Sequence, residues 1–466
     1  MHRTRKTAIM GAALATTAIT FSSLGVAAQD ASPAASADAM ASTGYAELDQ
    51  AMSADQPFAG SRVTMQTQWI GGEGDNFEAA VAPFVEATGI DVSIASVPAG
   101  QHETLVNVSL NSGAAADIIQ LAQPAAINEY GAQGLILDIA TLLDAEKLRE
   151  SHSATVPLYS TGDSIWGLPY KVDVKSVVWY PIKAFEAAGY EVPTSWDELL
   201  ALSDQIVADG GTPWCVGIEA SNATGWVTTD LIEDIMLRTT DLDTYNAWAA
   251  HDLLFDSPEV KNAFDLAGQI YFTPGYVAGG GTAILATPVV DAMDPMFNDD
   301  LQNPGCWMHK QATWYGPDFF PDAKAGDGTS QYVIGEDIGL FYFPEIDPQY
   351  GKAVLGSGDA FMVTQDRPEV RALAQYFATP EGLKGWIDLG SSLSANQNTP
   401  PEWYSGFYKL EVPSEIVANA SQFGFDASDL MPASGSAFWA GVIDWVGANG
   451  ENTEQVLQTI DANWQE

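Results

Sequence analysis

The sequence predicts an α/β protein built on a mainly parallel sheet. Three observations carry that expectation: a globular composition, strands at period two alternating with helices at period 3.6, and helix-start signals repeated along the chain. With 466 residues, 46% hydrophobic and 17% charged, there is material for two or three ordinary domains. Val63, Met65, Thr67 and Trp69 share one side of a first strand. The Gly71-Gly72-Glu73-Gly74 turn then opens a helix with Phe77, Ala80, Val81 and Phe84 on one face. Gly89 stands where that helix needs a C-cap, and Pro83 inside it predicts a kink. Ile90 to Val97 forms a second strand and Asp117 to Leu121 a third. Thr194 to Glu198 reads as a capping box, while Ser257-Pro258-Glu259 and Thr379-Pro380-Glu381 each offer a hydroxyl N-cap followed by proline at N1. Ligands in open α/β sheets settle at the carboxyl ends of strands, so the loops after Trp69, Leu121, Ile218, Met308 and the one at Gly356-Ser357-Gly358 are candidate binding loops.

The N-terminus carries an address. Arg3, Arg5 and Lys6 precede a weakly apolar run that ends at Val26-Ala27-Ala28, a pattern expected of an export signal over 1–28. Residues 29–60, rich in Ala, Ser and Asp, are expected to form a flexible leader. Acids outnumber bases 61 to 18, a net charge of -43 that becomes -46 without the signal. Such a surface repels a phosphate backbone, which argues against nucleic acid as a partner.

Much chemistry is excluded by what is missing. Five scattered histidines and two cysteines supply no metal-ligand spacing, and neither a Walker lysine loop nor a Gly-x-Ser-x-Gly elbow occurs. No cofactor and no metal is expected. A two-carboxylate glycosidase stays open, because so acidic a chain places carboxylates at that spacing by chance.

Aromatic residues beside polar groups in turn-rich segments point to sugar. They are Trp69 near Glu73, Tyr170 with Lys171 and Asp173, Trp226 with Asp230, and Trp307 with Lys310 and Gln311. A pyranose stacks its apolar face on a ring while its hydroxyls meet directional donors and acceptors. Each tryptophan could equally fill a core. Lys171 and Asp173, two apart on a strand, face the same side as a binding pair or a plain ion pair. Cys215 and Cys306, in an exported chain, are either bridged or two buried thiols.

Taken in order, these motifs resemble those of the extracellular solute-binding proteins of bacterial ABC importers for carbohydrates, the maltose-binding-protein-like family. Gly162 to Tyr170, Tyr180 with Pro193-Thr194-Ser195-Trp196-Asp197-Glu198-Leu199, and Gly356 to Val363 with Thr379-Pro380-Glu381-Gly382 carry the likeness. Lys171 to Tyr180, Pro213 to Glu219, Ala223 to Trp226 and Cys306 to Ala312 are similar to its α-glucoside-binding branch.

The resemblance implies a two-lobe fold of the periplasmic-binding type, with lobe one at 61–175 plus 344–378 and lobe two at 181–337 plus 379–466. Crossovers that act as a hinge would fall near 174–180 and 338–343. Both cysteines would lie in lobe two, which supports a bridge. Trp226, Lys310 and Gln311 would line the cleft from lobe two, and Trp69, Glu73, Gln123, Gly358 and Asp359 from lobe one. The implied protein is a monomeric, non-enzymatic receptor, exported and either periplasmic or extracellular and associated with the cell envelope. It would bind an α-glucoside or disaccharide and deliver it to a membrane permease. A secreted glycoside hydrolase, or a receptor for a polyamine, is the competing reading.

Overall fold

A computed structural model of the chain describes residues 42–326, 329–431 and 435–464. The export signal at 1–28 and leader residues 29–41 lie outside the described residues. After α1 (Ala46–Ala51) the chain alternates β1 (Arg62–Thr67), α2 (Gly72–Thr88), β2 (Asp91–Ser96), α3 (Ala99–Ser112), β3 (Ile118–Leu121) and α4 (Pro124–Ala132). Strands β4 (Leu168–Val174) and β5 (Val177–Pro181) precede helices α5 (Trp196–Ala208), α6 (Trp226–Thr239) and α7 (Pro258–Tyr271). Strands β6 (His309–Lys310), β7 (Ile338–Tyr342) and β8 (Ala353–Val363) lead to α8 (Pro368–Phe377) and α9 (Glu381–Asp388). Short strands β9 (Leu393–Ser394) and β10 (Gln422–Phe425), then α10 (Ala427–Leu430) and α11 (Gly435–Gly447), complete the principal elements.

The first sheet has the order β9-β4-β8-β3-β1-β2, with β10 paired to β8. Its β1–β2, β1–β3 and β8–β10 pairs are parallel, as strand-helix alternation demands. The pairs that β8 makes with β3 and β4 are antiparallel, as is β4–β9, so the sheet is mixed rather than mainly parallel. The reason is that β8 returns from the second body of the molecule, where no crossover helix governs its direction. That second body holds the antiparallel sheet β6-β5-β7. The chain passes between the sheets at Lys175-Ser176 and returns between Tyr342 and Ala353. These two connections are tied together: Lys175 N donates to Leu355 O (2.8 Å) and Phe343 N to Ser176 O (2.9 Å).

Helix α2 buries Phe77, Ala80, Val81 and Phe84, and Gly89 closes it in the left-handed conformation with its N–H on Val85 O. The helix continues through Pro83, which lies on its exposed side. Ser195 caps α5, its Oγ accepting from Glu198 N (3.3 Å), while the Glu198 carboxylate reaches back one residue further to accept from Thr194 N (2.8 Å). Thr379 does not cap α9; its hydroxyl bonds Tyr376 O (2.7 Å) and finishes α8 instead. Residues 42–60, expected within a flexible leader, are folded. Leu48 and Ala51 of α1 are buried, and Gln375 on α8 accepts from Leu48 N (2.9 Å) while donating to Glu47 (2.6 Å). Too few apolar side chains mark this stretch for composition to reveal it; three buried ones on a preformed helix suffice.

Two large buried clusters dominate. One gathers Trp69, Phe77, Tyr170, Phe361, Phe377 and Trp386; the other Leu231, Trp248, Phe264, Phe438 and Trp445. A smaller one joins Val106, Ile119 and Ile127. Among the described residues, no helix is long and apolar enough to cross a membrane.

Candidate functional site

A cleft of about 380 Å³ opens to solvent between walls drawn from the two bodies. Trp69, Glu73, Gln123, Lys171, Asp173, Gly358 and Asp359 line one side of it, and Trp226, Trp314, Phe319, Asp426, Ser428 and Trp439 the other.

On the first wall the polar group grows from sheet register. Lys171 and Asp173 sit two apart on β4, and Asp359 on β8 is the register partner of Lys171. The Lys171 ammonium therefore meets Asp173 at 2.6 Å and Asp359 at 2.9 Å, with Glu73 from the first turn of α2 at 3.8 Å. Gln120 Nε2 donates to the other oxygen of Asp359 (2.5 Å). Burial works against the Lys171 ammonium, yet the carboxylates of Asp173, Asp359 and Glu73 hold its pKa well above the usual lysine value. Glu73 has the opposite fate. Burial pushes it up to about 8; Lys171 opposes this, and the charges of Asp359 and Asp173 add to it.

Behind this group, Trp69 packs on Phe77 (4.8 Å between ring centroids) and Trp386 (4.9 Å). The residue is almost wholly buried, and its indole N–H has no partner.

On the second wall α6 supplies Trp226 at its first residue and a stripe of buried charge below it, Asp230, Glu233, Asp234 and Arg238. Their spacing places them along one helix face. Lys175, in the connection between sheets, bonds Asp230 (2.7 Å) and Asp426. Ser176 Oγ donates to Asp234 (2.7 Å) and accepts from Leu355 N (2.8 Å). Arg238 pairs with Asp234 and donates to the carbonyls of Phe343 (Nη2, 2.8 Å) and Pro344 (Nε, 2.9 Å). Glu233 accepts from Ala427 N (2.9 Å) and Ser428 N (3.1 Å), pinning the start of α10. One helix thus anchors both connections and the Asp426 loop.

Asp230 is pushed up to about 7 by burial, with Lys175 opposing and Asp426 reinforcing the shift. Burial also disfavours the Asp426 carboxylate, but the Lys175 ammonium and bonds from Asp429 N and Ser428 hold its pKa below the ordinary value. The oxygens of Asp230, Glu233 and Asp426 approach one another as cation ligands would. The Lys175 ammonium already bonds two of the three.

Aromatic groups complete this wall. The rings of Trp226 and Trp314 stand 6.1 Å apart, and Trp314 meets Phe319 edge-on at 5.2 Å. Trp439 contributes a second indole N–H without a partner.

Four nominated residues lie outside the lining. Tyr170 is core: its hydroxyl donates to Gly382 O (2.9 Å) and its ring packs on Phe361 (4.7 Å). Trp307 packs on Tyr190 (5.0 Å) and Phe185 (5.9 Å). Lys310 turns to Asp234 (3.2 Å) and Lys175 O (3.3 Å). Gln311 folds its side-chain oxygen onto Ala312 N (2.8 Å) while its carbonyl accepts from Trp179 Nε1 (2.8 Å). Cys215 and Cys306, 91 apart in sequence, form a disulfide with a Cα–Cα distance of 5.2 Å.

Sequence reasoning missed Lys175, Trp314, Phe319, Asp426, Ser428, Asp429 and Trp439 as lining residues. Lys175 had a signal, a second lysine two positions beyond Asp173 just past the end of β4; Asp426 reaches the cleft only because β10 pairs with β8.

A two-bodied α/β molecule whose connecting strands cross beneath an open, aromatic and acid-lined cleft is a ligand-binding protein of the periplasmic type. Residues 70–384 match the family described as bacterial extracellular solute-binding protein, and the chain belongs to that family, whose members serve ABC transporters. Among its relatives, the osmoprotective compounds-binding protein GgtB of Synechocystis is 35% identical over 406 residues, covering 86% of this chain and 92% of that protein. The alpha-glucosides-binding periplasmic protein AglE of Rhizobium meliloti is 34% identical over 417 residues, 87% of each chain. Solved structures share the fold at lower identity. The bacterial solute receptor AcbH superposes with a TM-score of 0.71 at 17% identity, covering 86% of this chain and 98% of AcbH. Maltose-bound MalE3 of T. maritima does so with 0.65 at 15%, over the same shares.

Proposed function

We propose that this chain is an exported, monomeric receptor that takes an α-glucoside or small disaccharide into the cleft and presents it to a membrane permease without chemical change. One observation carries the reading. The Trp226 and Trp314 rings line the same cleft as the Lys171–Asp173–Asp359 group, an apolar platform together with directional polar atoms. That AglE, 34% identical, binds alpha-glucosides agrees with it.

Closure follows from population shift: solute touches both walls only when they approach, and that differential affinity favours the closed form. Lys175-Ser176 and residues 343–353 are the hinge on this reading. The packing of Trp386 on Trp69 supports counting α9 with the first lobe, not with the second as the sequence suggested.

A thermal-shift panel of maltose, trehalose and sucrose tests the function. At least one sugar raises the melting temperature and is recovered intact, and Trp226→Ala abolishes that rise while the unliganded melt stays nearly unchanged. Sugar cleavage, or spermidine binding in place of sugar, overturns the reading.

A further inference from the structure

Seven carboxyl groups and two ammonium groups line the cleft, with no arginine or histidine among the described lining residues. Both ammoniums are already engaged. Lys171 is held by Asp173, Asp359 and Glu73, and Lys175 by Asp230 and Asp426, each lysine being nearly buried. Lys310 and Lys409, behind the walls, face Asp234 and Asp318. No cation is therefore available to an incoming anion without breaking a buried pair.

The acids are less constrained. Glu103, Glu219 and Asp429 have no basic ion-pair partner among the described residues; Glu219 accepts from Ser221 N (2.9 Å), and Asp429 is bonded by Gln123. Glu219 and Asp429 belong to one wall, Glu103 to the other. Glu73, Glu103 and Asp429 are all raised by burial, Asp429 well above the carboxylate range. With all three counted as neutral, four carboxylates still face two ammoniums. Independently, the buried and unpartnered indole N–H of Trp69 in the same wall offers a donor suited to a hydroxyl or ether oxygen.

We infer that the cleft selects by charge, admitting neutral and amine-bearing glycosides and refusing anionic ones such as sugar phosphates or uronides of the same shape. This deepens the receptor reading above and rests on it. An anion brought into the cleft loses water and meets uncompensated like charge; a neutral hydroxyl needs only an acceptor, and an ammonium gains a counterion.

Calorimetry at low salt with trehalose, trehalose 6-phosphate and 6-amino-6-deoxytrehalose tests this, run beside maltose and sucrose with their 6-phosphates. The amine is expected to bind at least as tightly as trehalose, and each phosphate at least about tenfold more weakly than its parent. In the Glu219→Gln variant, and in wild type at high salt, the gap narrows at least about threefold. A phosphate bound as tightly as its parent overturns the charge selection and leaves the sugar receptor standing. A gap unchanged in both the Glu219 variant and high salt also overturns it, since bulk would then be the cause. Absence of binding by any of these compounds overturns the receptor reading and this inference together; binding of the amine alone overturns the neutral-sugar reading and, with it, the admission of neutral glycosides stated here.

Discussion

Gly100, in the first turn of α3, closes against Ala220 on the opposite side of the cleft, where a Cβ at position 100 would lie 2.8 Å from the Ala220 carbonyl oxygen and 3.1 Å from Ser221 Cβ. Backbone meets backbone here, so a side chain cannot be accommodated by a rotamer change. Gly100→Leu should hold the walls apart and weaken solute binding at least about tenfold, without loss of stability, since leucine exceeds glycine in helix propensity by up to about 1 kcal/mol. Small-angle scattering with added solute checks it: the variant stays expanded where wild type contracts.

Glu73 gives a pH signature. Its pKa is about 8 folded against 4.5 in an unstructured chain, so the folded state holds a proton that the unfolded state has released. Stability from this group is fully present below 4.5 and is lost as pH rises towards about 8. Glu73→Gln cannot titrate. Melting curves across that range should fall less for the variant than for wild type; parallel curves would show that Glu73 is not protonated in the fold.

Lys175 offers the reverse experiment. Lys175→Met leaves Asp230 and Asp426 buried without their cation, and breaking such a pair costs about 3–5 kcal/mol. Urea unfolding measures it. Because Asp426 is held below the ordinary carboxylate range, its share of wild-type stability is present at neutral pH and lost on acidification, and the variant lacks that loss.

Trp307→Ala separates packing from binding. The ring touches Phe185 and Tyr190 and lies outside the cleft lining. The variant should lose about 2–3 kcal/mol of stability, short of a fully buried tryptophan, and keep its solute affinity. Equal losses in unfolding and calorimetry would contradict that placement.

Reduction of Cys215–Cys306 releases a 91-residue loop, worth about 4–5 kcal/mol in the chain-entropy account. A dithiothreitol titration of the melting temperature should show the drop, and Cys215→Ser/Cys306→Ser should no longer respond.

The first wall was largely legible because its determinants are local. Period two placed Lys171 and Asp173 together, and the Gly71–Gly74 turn delivered Glu73 beside them. The second wall was not, since Asp426 and Trp439 arrive from far along the chain through the β8–β10 pairing and the packing of α11. Among tryptophans the motif neighbourhood of Trp307 and Trp314 is nearly the same, yet one faces Tyr190 and the other the cleft. Only the fold decides between them. The expectation of a parallel sheet failed at β8 because strand-helix alternation says nothing about a strand that comes back from another body.

The charged stripe of α6 limits how this receptor can diverge or be re-engineered. Asp230, Asp234 and Arg238 bind the connections between sheets, so replacing them to suit a new solute would disturb the framework itself. The turns at 219–223 and 288–290 also reach the cleft and hold no ion pair among the described residues. Libraries seeking altered ligand choice, or reporter dyes for a biosensor, belong on those turns, with the helix beneath left untouched.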